Sequence, residues 1–118
     1  MADANRKIIT QPEKVEAYLQ GCCEYFGMKR SELSKNQYSS STYAVRKRFI
    51  IGILYKYTIL TQYEIAPLLG YKTHSNIHFH LKKLDEELSD EAYGYDKTKW
   101  IWQELLTYLK INAYEDKD

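Results

Sequence analysis

Apolar residues recur every three or four positions along most of this chain, which is the spacing of one face of an α-helix. The first such run covers residues 12–26, and Pro12 suits a first helical turn because its missing N–H is not needed there. A second and more apolar run begins at residue 41 or 42 and continues to about 57, and another covers about 96–112. The pattern therefore predicts an all-α protein, a small bundle of about five to six helices.

Two further helices separated by a glycine are predicted in the middle of the chain. Thr61 and Glu64 have the spacing of a capping box, so a short helix should cover residues 62–69. Gly70 allows a tight turn, and a second helix is expected from about residue 73 to 88. A short capped helix, a turn and a longer helix form the pattern of a helix-turn-helix. Four apolar residues are expected on the inner stripe of the second helix: Ile77, Leu81, Leu84 and Leu88.

The ends of the chain do not continue the helical pattern. We predict a flexible N-terminal arm over residues 1–11, a single helical domain over 12–112 and an acidic flexible tail over 113–118. The last helix is expected to bury one tryptophan and three leucines: Trp100 or Trp102, with Leu105, Leu106 and Leu109.

Charge is distributed unevenly, although the whole chain has a net charge of +1. Residues 1–34 are balanced, with five basic and five acidic side chains. Residues 35–83 hold eight basic side chains and one acid, Glu64, whereas residues 84–118 hold four basic and ten acidic side chains. A basic block of this kind favours a polyanionic partner such as nucleic acid.

The predicted helix-turn-helix supplies candidate DNA contacts, because the start of its second helix would lie in the major groove. Each residue of this stretch can form hydrogen bonds and none is acidic, so we predict base contacts from Thr73, His74, Ser75 and Asn76. Phosphate contacts are expected from the side chains of Lys47, Lys72, Lys82 and Lys83 and from backbone N–H groups at Thr61 and Gln62.

Other classes of function have weaker support in the sequence. His74 and His78 have a spacing that can bind zinc, but no third ligand follows at a suitable spacing, so we predict no metal and no cofactor. The adjacent Cys22 and Cys23 are expected to be reduced thiols. Neither a phosphate-binding glycine loop nor a nucleophile elbow is present, which argues against an enzyme.

The longest apolar run, residues 49–60, is too short to cross a membrane, and the first ten residues lack the apolar stretch of a secretory signal. We therefore expect a cytoplasmic, nucleoid-associated protein, for which the sequence leaves two hypotheses. The first is a duplex-DNA-binding module, dimeric or acting on arrays of sites. The second is a protein-interaction module, in which the basic face docks an acidic partner or the acidic third binds a replication protein.

Several segments resemble the C-terminal DNA-binding domain of the bacterial replication initiator DnaA, over about residues 14–112. Residues 15–35 resemble the first helix and following turn of that family, and the middle helices are matched by Thr61, Glu64-Ile65 and Leu69-Gly70. Residues 72–77 stand where the family commonly has Arg-Asp-His-Thr-Thr-Val, and Lys82-Lys83-Leu84 matches the end of the same helix.

The resemblance implies a Trp-repressor-like helix-turn-helix that recognises short initiator boxes, in replication initiation, in its regulation or in transcriptional regulation. By position it gives base reading to residues 73–76, and Lys47 stands where the family has a phosphate-binding arginine. Val45 stands where family members have a minor-groove arginine, with Arg46 beside it. The matched stretch does not include the family's nucleotide-binding domain, so we expect a stand-alone relative without ATP-driven assembly.

Overall fold

The computed structural model describes residues 11–34, 41–89 and 93–111. Within these ranges the protein is all-helical, which confirms the predicted fold class of a small helical bundle. The described chain forms five α-helices, α1 (Gln11–Phe26), α2 (Ser41–Tyr57), α3 (Gln62–Leu68), α4 (Ser75–Leu88) and α5 (Asp96–Tyr108), and one 3-10 turn (Arg30–Ser34).

The end of α1 follows directly from a glycine. Gly27 has a φ of 67°, a conformation that a residue without Cβ adopts at little cost. The Met28 N–H donates to the Cys23 carbonyl at 2.8 Å, and the Gly27 N–H donates to the Glu24 carbonyl at 3.3 Å. These two bonds are a Schellman motif, which satisfies the last carbonyls of the helix and returns the buried Met28 to the core.

Helix α2 is the centre of the bundle and packs against α1, α3 and α4. Its side chains at Ile50, Ile51 and Leu54 are completely buried, as the apolar run predicts. Gly52 permits the closest approach of the other helices, since a Cβ there would lie 2.3 Å from Leu84 Cδ2 and 3.1 Å from a ring carbon of Trp102. The packing of α4 and α5 on α2 therefore depends on the absence of a side chain at this position.

Helix α5 closes the bundle against α1 and α4. Its buried tryptophan is Trp102, whereas Trp100 is 59% exposed, which decides between the two residues that the helical spacing left open. The Tyr25 hydroxyl donates to a Glu104 carboxylate oxygen at 2.5 Å and joins α1 to α5. The helix ends at Tyr108, earlier than the predicted 112, because Lys110 adopts a left-handed φ of 61°.

The domain limits are only partly covered by the described residues. Gln11 already belongs to α1, so the helix begins one residue before the predicted limit of the arm. Residues 1–10 and the predicted tail, 113–118, lie outside the described ranges. No described helix has the length and apolar character needed to cross a membrane.

Candidate nucleic-acid interface

The first helix of the predicted helix-turn-helix begins with the capping box that the sequence indicates. The Glu64 N–H donates to Thr61 Oγ1 at 3.2 Å, and the Thr61 N–H donates to Glu64 Oε1 at 2.8 Å. Two otherwise unsatisfied N–H groups are paired in this way, and α3 starts at Gln62. The Thr61 N–H is therefore already bonded to the Glu64 carboxylate, and a phosphate contact from this N–H, which stays a prediction, would have to replace that bond.

The turn between α3 and α4 is fixed by a close approach of backbone. Gly70 has a φ of 81°, and a Cβ there would lie 2.3 Å from the carbonyl oxygen of Ser34. The Tyr71 N–H donates to the Ala66 carbonyl at 2.9 Å, which ends α3 in the same manner as α1. The 3-10 turn that contains Ser34 thus packs against the turn of the helix-turn-helix, although it lies earlier in the chain, between α1 and α2.

The four residues predicted to contact bases lie together at the start of α4. Thr73, Ser75 and Asn76 are exposed, and His74 is half-buried. The His74 ring lies on the ring of Tyr63 from α3, with 4.2 Å between ring centroids, which restricts where the imidazole can point. The stretch is polar and accessible, as a surface that reads base edges must be.

The second helix begins two residues later than predicted. His74 is the N-cap residue of α4 and forms no side-chain cap bond, and the first helical bond runs from the His78 N–H to the His74 carbonyl at 3.0 Å. Lys72 and Thr73 therefore lie in the preceding turn. The N-cap side chain of α4 therefore gives no acceptor to the first N–H groups of this helix.

Three of the predicted phosphate-binding lysines lie in the same part of the chain, one in the turn and two on α4. Lys72 and Lys82 are exposed and Lys83 is half-buried. Within the described part of the chain, no carboxylate lies within salt-bridge distance of these three ammonium groups. Gln62, the remaining predicted contact, is half-buried at the start of α3.

Lys47 does not lie where the sequence analysis predicts. Its side chain is only 3% exposed, and its Nζ donates to the Leu69 carbonyl at 3.0 Å and lies 5.1 Å from the Tyr71 ring centroid. Burial lowers the pKa of this lysine. The prediction of a phosphate contact is therefore wrong: the lysine binds α2 to the end of α3. Its spacing from Ile51 and Leu54, four and seven residues later, is the signal that places it inside.

A partly buried polar network, missed by the sequence analysis, joins α2 to α4. Arg48 Nε donates to His80 Nδ1 at 3.2 Å, and the His80 Nε2 lies 3.2 Å from the Tyr71 hydroxyl. Arg48 also pairs with Glu87 at 3.1 Å. Because Nδ1 accepts from a guanidinium, the neutral imidazole carries its proton on Nε2. Burial, and then the charges of Arg48 and Lys47, lower the pKa of His80 to about 4.

Over the ranges that the structure describes, fewer basic side chains are free of acidic partners than the basic block of the sequence contains. Arg48 is paired with Glu87, and Lys56 is paired with Asp85 at 3.2 Å, so acidic residues of α4 engage two cations of α2. Arg46 lines a groove between α1, α2 and α5, and none of the residues that line this groove belongs to α3 or α4. Among residues 11–34, 41–89 and 93–111, the predicted phosphate-binding cations that remain exposed or half-buried without an acidic partner are Lys72, Lys82 and Lys83.

The described residues contain no group of three or more histidine, cysteine, aspartate or glutamate side chains able to hold a metal ion. Cys22 and Cys23 are buried free thiols whose pKa values are raised by that burial. In comparisons with known proteins, no protein-family model, no curated protein and no solved structure matches this chain. The relation to the DnaA domain therefore stays a prediction that depends on the residues quoted above.

Proposed function

We propose that this protein binds specific sites in double-stranded DNA through a helix-turn-helix made of α3, the Gly70 turn and α4. The observation that carries the proposal is the polar and acid-free stretch at residues 72–76, exposed except for the half-buried His74 and followed by two lysines of α4. The first acidic residue of α4 is Asp85, about 15 Å along the helix from Ser75 at 1.5 Å per residue. The N-terminal part of α4 is thus the part that fits beside phosphates.

The side chains at this end of α4 have the chemistry to distinguish base pairs. The Asn76 amide can donate to and accept from adenine in a bidentate way, while the hydroxyls of Thr73 and Ser75 serve several base edges. The imidazole of His74, held against Tyr63, adds a further donor or an apolar contact. Lys72, Lys82 and Lys83 then fix the register by binding phosphates, which carry no sequence information.

The DnaA resemblance extends the proposal to a biological role. It favours short initiator boxes as targets, in replication initiation or its regulation, with transcriptional regulation as the alternative role. A protein of this kind acts in the cytoplasm on the nucleoid and needs no catalytic residue. Because a single helix-turn-helix buries a modest interface, binding as a homodimer or on arrays of sites would supply the missing affinity.

A selection from random duplex DNA with the purified protein tests the proposal. At roughly physiological salt we expect one enriched motif. Affinity for it should fall with salt at a log–log slope of about −0.9 for each phosphate contact. Bulk DNA retention without enrichment would contradict sequence-specific recognition, and no retention at low salt would contradict DNA binding altogether.

Matched variants separate base reading from phosphate binding in this assay. Asn76→Ala should weaken binding to the selected site by about tenfold and relax the preference at one position. Lys82→Ala should weaken binding to all sequences about equally and reduce the salt slope by about one. If both variants behave alike on selected and random DNA, α4 does not read bases.

A protein-interaction module is the second candidate function, and an aromatic surface on α5 favours it. Trp100 is 59% exposed and Tyr108 is 48% exposed, and together with Tyr25 of α1 they line a shallow groove. This surface belongs largely to the acidic third of the chain, where a replication protein could dock. If the purified protein binds no DNA at low salt, and Trp100→Ala abolishes binding to such a protein, this second function replaces the first.

A further inference from the structure

One large apolar side chain lies in the middle of the outward face of α4. Phe79 is 55% exposed, and it follows Ser75 by four residues and precedes Lys82 by three. Side chains at these spacings are neighbours on one helical face, so the ring lies between a predicted base-contacting hydroxyl and a predicted phosphate-binding ammonium. Isolated apolar residues are common on protein surfaces. The position of this ring between two predicted DNA contacts, rather than its exposure, points to a role in binding.

The ring of Phe79 packs against the neighbouring His80 ring. It makes an edge contact with the His80 ring, with centroids 5.6 Å apart and an interplanar angle of 70°. His80 is itself fixed by Arg48 and by the Tyr71 hydroxyl. Phe79 therefore contacts a ring that is itself hydrogen-bonded on both nitrogens, and more than half of the Phe79 side chain faces outward.

We infer that Phe79 determines specificity on the proposed DNA-binding surface by packing against the C5-methyl groups of thymines. The inference rests on the proposed function and names the base pairs that α4 prefers. Among the four bases, thymine alone offers an apolar group to the major groove, while the other base edges there are hydrogen-bond donors and acceptors. A phenyl ring over those polar edges would remove water from them without replacing its hydrogen bonds.

The neighbours of Phe79 favour the same base pairs. Asn76 lies three residues earlier and is exposed, and an amide pairs best with adenine, the partner of thymine. Residues 75–81 contain no arginine or lysine, the side chains that most often read guanine. Asn76 and Phe79 are about 4.5 Å apart along the helix axis, which corresponds to one or two base steps of about 3.4 Å. The preferred site should therefore carry adjacent A·T pairs.

Duplexes in which single thymines are replaced by deoxyuridine test this inference, because uracil lacks only the C5-methyl group. The site is the motif enriched from random DNA, and a random duplex of equal length is measured in parallel. Each thymine whose methyl packs on Phe79 should lose about fourfold in affinity when replaced, since burial of one such group stabilises by about 0.8 kcal/mol.

Three variants assign the methyl contact to this side chain. Phe79→Ala should bind thymine and deoxyuridine duplexes equally, and Phe79→Leu, which keeps an apolar surface, should retain most of the discrimination. His78→Ala changes an exposed neighbour on the same helix and should discriminate as the unchanged protein does. Because Phe79 is more than half exposed, its replacement should leave the helix intact, which circular dichroism verifies.

The outcomes separate the inference from the proposed function. Absence of any DNA binding by the unchanged protein overturns both. An enriched motif that binds equally well with deoxyuridine, or discrimination that survives in Phe79→Ala, overturns the role of Phe79 and leaves specific DNA binding standing. Equal loss of affinity for motif and random duplexes in Phe79→Ala also overturns it, since the ring would then position α4 rather than select thymine.

Discussion

Mild acid should destabilise this protein through His80. The imidazole is 6% exposed and accepts a hydrogen bond at Nδ1 from the guanidinium of Arg48. Protonation of Nδ1 would remove that acceptor and place a positive charge next to Arg48 and near Lys47. Burial and these two cations hold the pKa of the folded imidazole at about 4, below its ordinary 6.5. The folded protein therefore favours the neutral ring.

The sign and size of the effect follow from this difference. Between pH 6.5 and pH 4 the unfolded chain binds a proton at His80 that the folded chain does not bind, so the free energy of unfolding falls as the pH falls. From these two pKa values, the loss between pH 7 and pH 5 is about 2 kcal/mol. Above pH 7 the residue contributes no further pH dependence.

Urea denaturation followed by circular dichroism at pH 7 and pH 5 measures this loss. The lower limit of pH 5 stays above the ordinary pKa values of carboxylic acids, about 4, and so limits their contribution. His80→Gln provides the comparison, because a glutamine can accept from Arg48 and donate to Tyr71 without binding a proton. Its stability should decrease by about 2 kcal/mol less than that of the unchanged protein over this interval.

An exposed histidine on the same helix provides the control. His78→Gln alters an imidazole that has no part in the network around Arg48, so it should retain the full decrease of stability between pH 7 and pH 5. If His80→Gln loses as much stability as the unchanged protein and His78→Gln, then the His80 imidazole is not the acid-sensitive group, and the reasoning from its burial fails.

Substitutions at Gly70 and Lys47, with Gly94→Ala as a control for the first, test other parts of the structure. Gly70→Ala should lower the free energy of unfolding by more than about 2 kcal/mol, because its left-handed φ disfavours a side chain and the added Cβ would meet the Ser34 carbonyl. Gly94 has a similar φ but open space around it, so Gly94→Ala should lower the same free energy by only about 1 kcal/mol. Urea denaturation measures both values. Lys47→Ala should destabilise by about 2 kcal/mol, since it leaves the Leu69 carbonyl without its donor. In the same variant the salt slope of DNA binding should be unchanged, and a decrease by about 0.9 would show that Lys47 binds a phosphate after all.

Much of the fold could be predicted because its signals are local. Thr61 and Glu64 form their capping box within four residues, and Gly27 and Gly70 end helices through their own backbone conformations. These signals require no knowledge of what the helices pack against. The start of α4 lacks a signal of this kind, because His74 caps the helix without a side-chain bond, and its predicted start was wrong by two residues.

The candidate site was predicted less well, because the environment of a charged side chain is set by distant residues. Lys47 was predicted outward by its charge, whereas its carbonyl partner, Leu69, comes from α3. The two partners of His80 come from separate places in the chain: Arg48 lies on α2 and Tyr71 lies in the turn before α4. In the sequence, only the apolar stripes that contain Lys47 and His80 indicate that these two side chains are buried. The stripes do not indicate which residues would form hydrogen bonds with them.

The order in which the helices pack has a consequence for synthesis of the protein. Trp102 of α5 stacks on Phe49 of α2, with ring centroids 6.4 Å apart, and Leu105 is completely buried in the core. A ribosome releases α2, α3 and α4 before α5, so the face of Phe49 that stacks on Trp102 stays uncovered until α5 emerges. Nascent chains that already contain the whole helix-turn-helix therefore expose core surface and depend on about twenty more residues for protection from aggregation.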